Sequence, residues 1–260
     1  MESTNAQPYI RGDVLALPFV GVQEESTWIA DKVKFLCGTA YRDRPEAEER
    51  GLTWSDMAVL LRSVRRDAAP IIEAFKAADI PYVVGGMTGL FDTPEVAVMR
   101  LVFYFLADHT PTGEPPPSLA AIQRSLAGSW WGIPARGLET GMNLLRERKG
   151  MIGPVMRADL YLQKLYLDFL ERLELREERI RTQSGRTGEI VFYNLGKFRQ
   201  VISDFETINF HSAPNRLYQA FAGFLEFQAA DYYPEGWEES GHTKPDAVQV
   251  MTVHQAKGMQ

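Results

Sequence analysis

The sequence predicts a mixed α/β fold in which a parallel sheet covered by helices is interrupted by a long, mostly helical insertion and then resumed. Three observations predict it. Short apolar runs alternate with helical periodicity in the first part of the chain, at Met57–Leu61 (MAVLL) and Pro81–Val84 (PYVV). The Pro-rich run HTPTGEPPPS, His109–Ser118, ends that alternation, and the periodicity beyond it is almost entirely helical. Strand character then returns at Ala247–Val253 (AVQVMTV).

Taken in order, Met1–Pro8 (MESTNAQP) is polar and reads as a loose leader, with the disordered stretch running over 1–12. DVLALPFV, Asp13–Val20, reads as a strand near an edge, because Pro18 cannot donate to a ladder. Glu24–Leu36 has helical spacing, with Trp28, Ile29, Val33 and Leu36 recurring every three or four residues. Tyr41–Gly51 is a charged connection. After the Met57–Leu61 strand, Asp67–Ala78 is a helix with Ile71, Ile72 and Phe75 inward, and Gly85-Gly86 turns the chain after the next strand. Thr93-Pro94 starts another helix, with Pro94 at its first position and Glu95 in the first turn, continuing through Val98, Leu101, Val102 and Phe105. Strand, helix, strand, helix at this spacing implies parallel pairing.

Beyond the Pro-rich run, Arg157–Arg181 reads as one long helix with an apolar stripe of Leu162, Leu165, Phe169 and Leu173. Thr182–Thr187 breaks it at Ser184-Gly185; helices over Leu195–Ile208 and Leu217–Ala229 follow, then a loop over Asp231–Pro245. The resumed strand lies close to Gln260 and leaves apolar sheet surface without a following element to cover it. The sequence therefore reads as a piece of a larger intracellular protein and not as a complete catalyst.

Composition narrows the function classes. The 260 residues carry a formal charge of -6, which argues against a generic nucleic-acid coat but leaves room for a local groove. Between Met142 and Arg186, 10 Lys or Arg stand against 7 Asp or Glu, an excess small enough for an ordinary solvated surface. One cysteine, Cys37, excludes a disulfide framework. No apolar run is long enough to cross a bilayer, so no membrane partner is expected. His109, His211, His242 and His254 are scattered, and no metal site is expected. There is neither a GxxxxGK[ST] phosphate loop nor a GxGxxG turn, and nothing local favours a Ser-His-acid arrangement.

The most informative run is QVMTVHQAKGMQ, Gln249–Gln260. It places a hydroxyl, an imidazole, an ammonium and a glycine in the exit turn of a strand, where open α/β sheets put ligands. Thr252 can offer a hydroxyl to a phosphate, His254 can stack on a base, Lys257 supplies a point charge, and Gly258 lets backbone N–H groups approach an anion. Equally, Thr252 and His254 could satisfy ordinary loop hydrogen bonds with Lys257 facing solvent; composition leaves both open.

DAVQVMTVHQAKGMQ, Asp246–Gln260, closely resembles motif V of the UvrD/Rep/PcrA-like superfamily 1 DNA helicases, whose usual form is close to TxHxAKGLE. DMAVLLRSVRRDAAPIIEAFKAADIPYVVGGMTGLFD, Asp56–Asp92, resembles the part of the family's second RecA-like motor domain where a strand ending in Arg precedes a helix and "IPY" and "GG" follow. YNLGKFRQVISDFE, Tyr193–Glu206, resembles the "NLxxL" helix late in the inserted 2B domain. The resemblance implies a partial RecA-like sheet, domain 2A, over 13–107 and 246–260, with a helical 2B insertion over 108–245. It further implies a parent protein that uses ATP and Mg2+ to move on single-stranded DNA, usually 3′ to 5′, in repair, recombination or replication. The chain alone would bind neither ATP nor Mg2+, because the Walker A lysine, the Walker B carboxylates and the phosphoryl-stabilising arginines are not in it, and no catalytic residue is assigned.

Carried onto this sequence, the resemblance makes Thr252 and His254 single-strand contacts, with Arg62 and Arg66 candidates near the DNA track; Arg66 serves equally well as an exposed helix residue. Lys257 and Gly258 would shape the loop that couples DNA to nucleotide. Gln260 stands where the family usually has an acidic residue near the nucleotide sugar, so a charge-assisted bond there is lost. Thr93-Pro94 stands where a basic residue is common, and Trp131-Gly-Ile-Pro134 is only a loose echo of the duplex-binding hairpin of some 2B domains. Gly85 and Gly86 set the turn, and Phe91, beside Asp92, is a packing residue. Implied partners are single-stranded DNA, single-strand/duplex junctions, the missing motor domain 1A/1B and a repair protein contacting the insertion, at a cytoplasmic, nucleoid-associated location. Two other readings remain: a protein-interaction and regulatory module of a translocase without strand separation, and a small α/β hydrolase or transferase.

Overall fold

A computed structural model describes residues 14–44, 46–85, 89–155, 157–209, 211–232 and 245–257. The first part runs through α1 (Val22–Leu36), a two-residue antiparallel ladder of β1 (Ala40–Tyr41) and β2 (Arg50–Gly51), then β3 (Ala58–Leu61), α2 (Val64–Asp67), α3 (Ala69–Ala77) and β4 (Tyr82–Val84). Helices α4 (Pro94–Leu106), α5 (Leu119–Leu126), α6 (Ala135–Met151), α7 (Leu162–Arg172), α8 (Gly188–Asn209), α9 (Pro214–Phe227) and the short α10 (Ala229–Tyr232) follow. The chain then returns as β5 (Val248–Thr252) and a single turn, α11 (Val253–Ala256).

The apolar runs at 57–61, 81–84 and 247–253 are the three strands of one sheet, in the order β3-β5-β4, with both pairs parallel. The last strand in sequence is thus the middle one in space. Every residue of β5 is buried, including Gln249 and Thr252, as a strand covered on both faces and both edges requires. Ala30 and Val33 of α1 and Ile71 and Phe75 of α3 pack in one cluster with Val248 and Val250.

The helices build a separate and larger core that begins at Leu90 and runs to Ala229. Its centre is aromatic: the Phe103 ring meets Phe221 edge-on at 4.9 Å between centroids, and the buried Tyr166 hydroxyl donates to the Leu195 carbonyl at 2.9 Å. Helix α4 belongs to this core, so the helical packing starts before the Pro-rich segment. That segment has no regular structure and is tied down where His109 Nε2 and the Glu226 carboxylate meet at 2.5 Å.

Sheet and helical core meet along the start of α8. Val83, Ile190 and Ala247 form a small cluster across the junction. Glu95, fully buried, accepts from Arg186 Nη1 at 3.0 Å and Asn194 Nδ2 at 2.7 Å, and Arg186 lies over the Trp130 ring at 5.0 Å. Glu95 is therefore more than a dipole partner in a first helical turn, since it is a buried anion held by two donors. The Asp79 carboxylate, at the left-handed residue that ends α3, accepts the Gly185 N–H at 2.6 Å.

Several expectations need correction. No strand forms over 14–20: Val14, Leu15 and Val20 are 70%, 63% and 99% exposed, these residues pair with no strand, and Pro18 has no N–H to offer one. In α1 the inward face is Ser26, Ala30 and Val33, so Trp28 sits outside it and packs on Phe19 with ring centroids 5.7 Å apart. The charged connection over 41–51 folds back as the β1-β2 ladder, pinned by Arg50 hydrogen-bonded to both Asp43 and Asp56. The helix expected from Asp67 begins at Val64 and breaks at Ala68 into α2 and α3.

Arg157–Arg181 is not one helix. Its stripe of Leu162, Leu165, Phe169 and Leu173 is buried, but α7 stops at Arg172, whose carbonyl accepts the Thr140 hydroxyl of α6 at 2.6 Å, and Glu174 turns left-handed. Shorter 3-10 turns flank it at Ala158–Leu160 and Glu177–Arg179. The break at Ser184-Gly185 is present, both residues having positive φ, and α8 starts at Gly188, ahead of the expected Leu195. α9 starts at Pro214, ahead of Leu217. Asp231 and Tyr232, expected in a loop, end α10; the rest of that loop up to 244 lies outside the described residues.

Candidate nucleic-acid interface

Three parallel strands necessarily end at one edge of the sheet, and here the register fixes which residues meet. Leu61 pairs with Thr252, and Val84 with Val250. Arg62 is the next residue after Leu61, Gly85 follows Val84, and α11 follows Thr252. Arg62 and the Thr252 turn are thereby neighbours although 190 positions separate them in sequence. This is the edge at which open α/β sheets bind ligands.

Thr252 is buried, at 4% exposure, and caps α11. Its backbone N–H donates to Gln255 Oε1 at 2.7 Å, and its hydroxyl accepts from the Gln255 N–H at 3.3 Å while lying 3.3 Å from Gln255 Oε1. This is a reciprocal capping box. The Thr252 hydroxyl is engaged within the turn, whereas His254 and Lys257 project from it and are exposed. Arg62 is also exposed. Arg66, on α2, is exposed with its Nε 3.9 Å from Asp67, an ion pair of little energetic consequence at such exposure. Gly258 and Gln260 lie outside the described residues, as does Gly86.

Gly85 is a glycine for a reason other than turn geometry. Its backbone is not left-handed. A Cβ there would instead lie 2.9 Å from Gln255 Nε2 and 3.0 Å from Met251 Cβ, while its N–H donates to the Val250 carbonyl at 2.8 Å. Gln255 thus packs against the end of β4 as well as capping the end of β5. The only sequence signal for this residue is the Thr-x-x-Gln spacing of a capping box. Phe91 is buried in the helical core, as expected, and Asp92 is exposed. Arg65, next to the expected candidates, donates to the Ala230 carbonyl at 3.0 Å and lines a groove with Val64, Ile72, Val84, Gly89 and Asp92.

The donors at this edge are cationic or neutral: Arg62, Arg66, His254 and Lys257 around an engaged threonine. No cluster of three or more His, Cys, Asp or Glu that could hold a metal occurs among the described residues. An edge of this composition suits an anion such as a nucleic-acid backbone better than a Mg2+ ion, which asks for carboxylates. No described helix is long and apolar enough to cross a membrane.

No family model matches the chain. It is 26% identical over 278 residues to the large ATP-dependent helicase/nuclease chain (the A subunit) of Pelotomaculum thermopropionicum, covering 92% of this chain and 20% of that protein. It is 33% identical over 143 residues to the protein of the same name from Bacillus cytotoxicus, covering 53% of this chain and 10% of that one. A shorter match, 34% over 80 residues, is to the Anoxybacillus flavithermus protein of that name, covering 30% of this chain and 6% of that one. The chain spans a fifth or less of the length of these relatives. The similarity is broader than the motif V resemblance to UvrD, Rep and PcrA, and on it the chain is a distant homologue of superfamily 1 helicase/nuclease proteins.

Proposed function

We propose that this chain is the 2A/2B portion of an ATP-dependent DNA helicase or translocase of the UvrD-like kind, moving 3′ to 5′ on single-stranded DNA within a longer protein. The observation that carries the reading is the pairing of Leu61 with Thr252, which gathers Arg62, His254 and Lys257 at the ligand-binding edge of a parallel sheet. In this reading the sheet and its flanking helices over 13–107 and 246–260 are the motor half, and the helices over 108–245 are the insertion, with α4 joining the two by packing into the helical core. His254 stacks on or hydrogen-bonds to a base, and Arg62, Arg66 and Lys257 hold phosphates. Thr252 acts through the turn it caps, and Gly258 and Gln260 continue that turn toward a nucleotide.

ATP and Mg2+ would be held by a 1A/1B motor domain elsewhere in the longer protein, since this sequence has no phosphate loop. The relatives' names, which describe them as ATP-dependent and as helicase/nuclease, support that assignment, and their naming as one component of a larger assembly supports a protein partner for the helical insertion. DNA metabolism of this sort belongs in the cytoplasm, at the nucleoid. The hydrolase or transferase alternative draws no support from an open three-stranded sheet.

The test is fluorescence anisotropy of this chain with single-stranded and duplex DNA across a salt titration, beside His254→Ala and Lys257→Ala. Salt-sensitive binding to single strands, weakened by either substitution, is the expected result. Binding that neither substitution changes would remove this edge from the DNA track.

A further inference from the structure

We infer that Gln255 is a positioning residue that holds the His254–Lys257 turn in register with the end of β4, so that single-strand binding depends on a side chain that need not touch DNA. The inference rests on the single-strand reading above and extends it to a residue buried behind the binding edge.

The geometry runs through one amide. Gln255 Oε1 takes the Thr252 backbone N–H at 2.7 Å, which fixes the amide orientation, because only the oxygen can accept. Nε2 is then turned toward Gly85, where it is buried and has no hydrogen-bond partner among the described residues. Such a group persists only where surrounding packing holds it, and here Gly85 and Met251 close around it. A side chain at Gly85 would occupy the place of that amide. Because the Gly85 backbone is not left-handed, the missing Cβ is explained by this approach alone. One side chain therefore ties the ends of two adjacent strands. His254 is its immediate neighbour, Lys257 is two residues on, and the whole turn is only four residues long. Where Gln255 sits decides where both project.

The test measures binding of a fluorescein-labelled oligothymidylate to this chain for wild type, Gln255→Ala, Lys257→Ala, the double variant and Gly85→Ala, each checked for folding by circular dichroism. In the wild type, Lys257→Ala should weaken binding about fivefold and reduce the salt slope by about 0.7, the loss of one phosphate contact on a single strand. In the Gln255→Ala background, where the turn is already displaced, the same change should cost less than about twofold. Gly85→Ala, which leaves the cap and every DNA-facing residue intact, should reproduce the affinity loss of Gln255→Ala; it also carries the test if Gln255→Ala fails to fold. An equal effect of Lys257→Ala in both backgrounds, or unchanged affinity in Gly85→Ala, would overturn the positioning role while leaving the single-strand reading intact. Failure of the wild type to bind at low salt would overturn both.

Discussion

Gly185, in the loop before α8, lies directly against Ile80, at the end of α3: a Cβ on the glycine would fall 2.1 Å from the Ile80 carbonyl oxygen. Its φ is +73° and its N–H is held by Asp79. Space and backbone conformation both demand glycine here, and the contact joins the helical core to the sheet. Gly185→Ala should destabilise the protein by at least about 2 kcal/mol, combining a left-handed alanine with a steric overlap. Urea denaturation checks this, with Gly196→Ala as a contrast. Gly196 lies inside α8 with open space where a Cβ would be, and there alanine should stabilise by about 0.5–1 kcal/mol.

Glu95 and Arg186 form the charged part of the same junction. Removing one partner leaves the other underpaired, and because the Glu95 side chain is fully buried while Arg186 is 24% exposed, Arg186→Ala should be the worse of the two. It is expected to cost about 3 kcal/mol. The double variant should cost less than the sum of the singles, since it leaves no buried charge behind. Additive losses in a denaturation cycle would mean that the pair is not coupled.

Acid stability should be governed in part by the β1-β2 ladder. The Arg50 guanidinium, aided by the Thr53 N–H and hydroxyl, holds the Asp56 carboxyl well below the usual carboxylate range, and Arg50 likewise lowers Asp43. Their folded pKa values lie below the unfolded ones. This contribution is therefore complete above the ordinary carboxylate pKa of about 3.9 and is lost as pH falls further, through the folded values. Asp56→Asn should lower the thermal midpoint at neutral pH and flatten its decline in acid. A decline as steep as the wild type's would assign acid loss to other groups.

Glu206 has the opposite sign. Half-buried on α8, its carboxylate accepts the Leu162 N–H at 2.6 Å and the Gln163 N–H at 3.4 Å, capping α7 from another helix. Burial nonetheless raises its pKa, outweighing those two bonds. A raised folded pKa means stability that is full below the unfolded value, about 4.3, and declines as pH rises through the folded one. Glu206→Gln keeps an acceptor and removes the charge, so it should abolish that decline, whereas Glu206→Ala should lose about 1 kcal/mol with the cap. Denaturation midpoints between pH 4 and 7 for the three proteins distinguish these outcomes.

The strands at 58–61, 82–84 and 248–252 were legible because strands buried on both faces read as short apolar runs bounded by turn residues, and Thr93-Pro94 marked the start of α4 by its own chemistry. Alternation misleads at 14–20, where an apolar pattern exists but no strand pairs with it. Periodicity also runs on past Arg172, since Leu173 continues the stripe, yet the helix ends through a hydroxyl supplied by Thr140 on another helix. Contacts such as Asp79 to Gly185 or Glu206 to Leu162 join residues far apart and leave no local trace. At the candidate interface the residues that project, His254 and Lys257, stand out by residue type. Gln255 does not, because its importance lies in what it packs against: Gly85, on a strand that only the fold brings alongside.

The place of β5 between β3 and β4 also sets an order of events in time. β3 and β4 do not pair with each other, so this sheet has no ladder until β5 enters between them, after residues 85–247 have intervened. Closing so long a loop is slow relative to local helix packing, and the helical core has its own interior to bury without waiting for the sheet. The helical unit is thus the part of the protein able to mature first, and the edge bearing Arg62 and His254 comes into existence only with the final strand insertion.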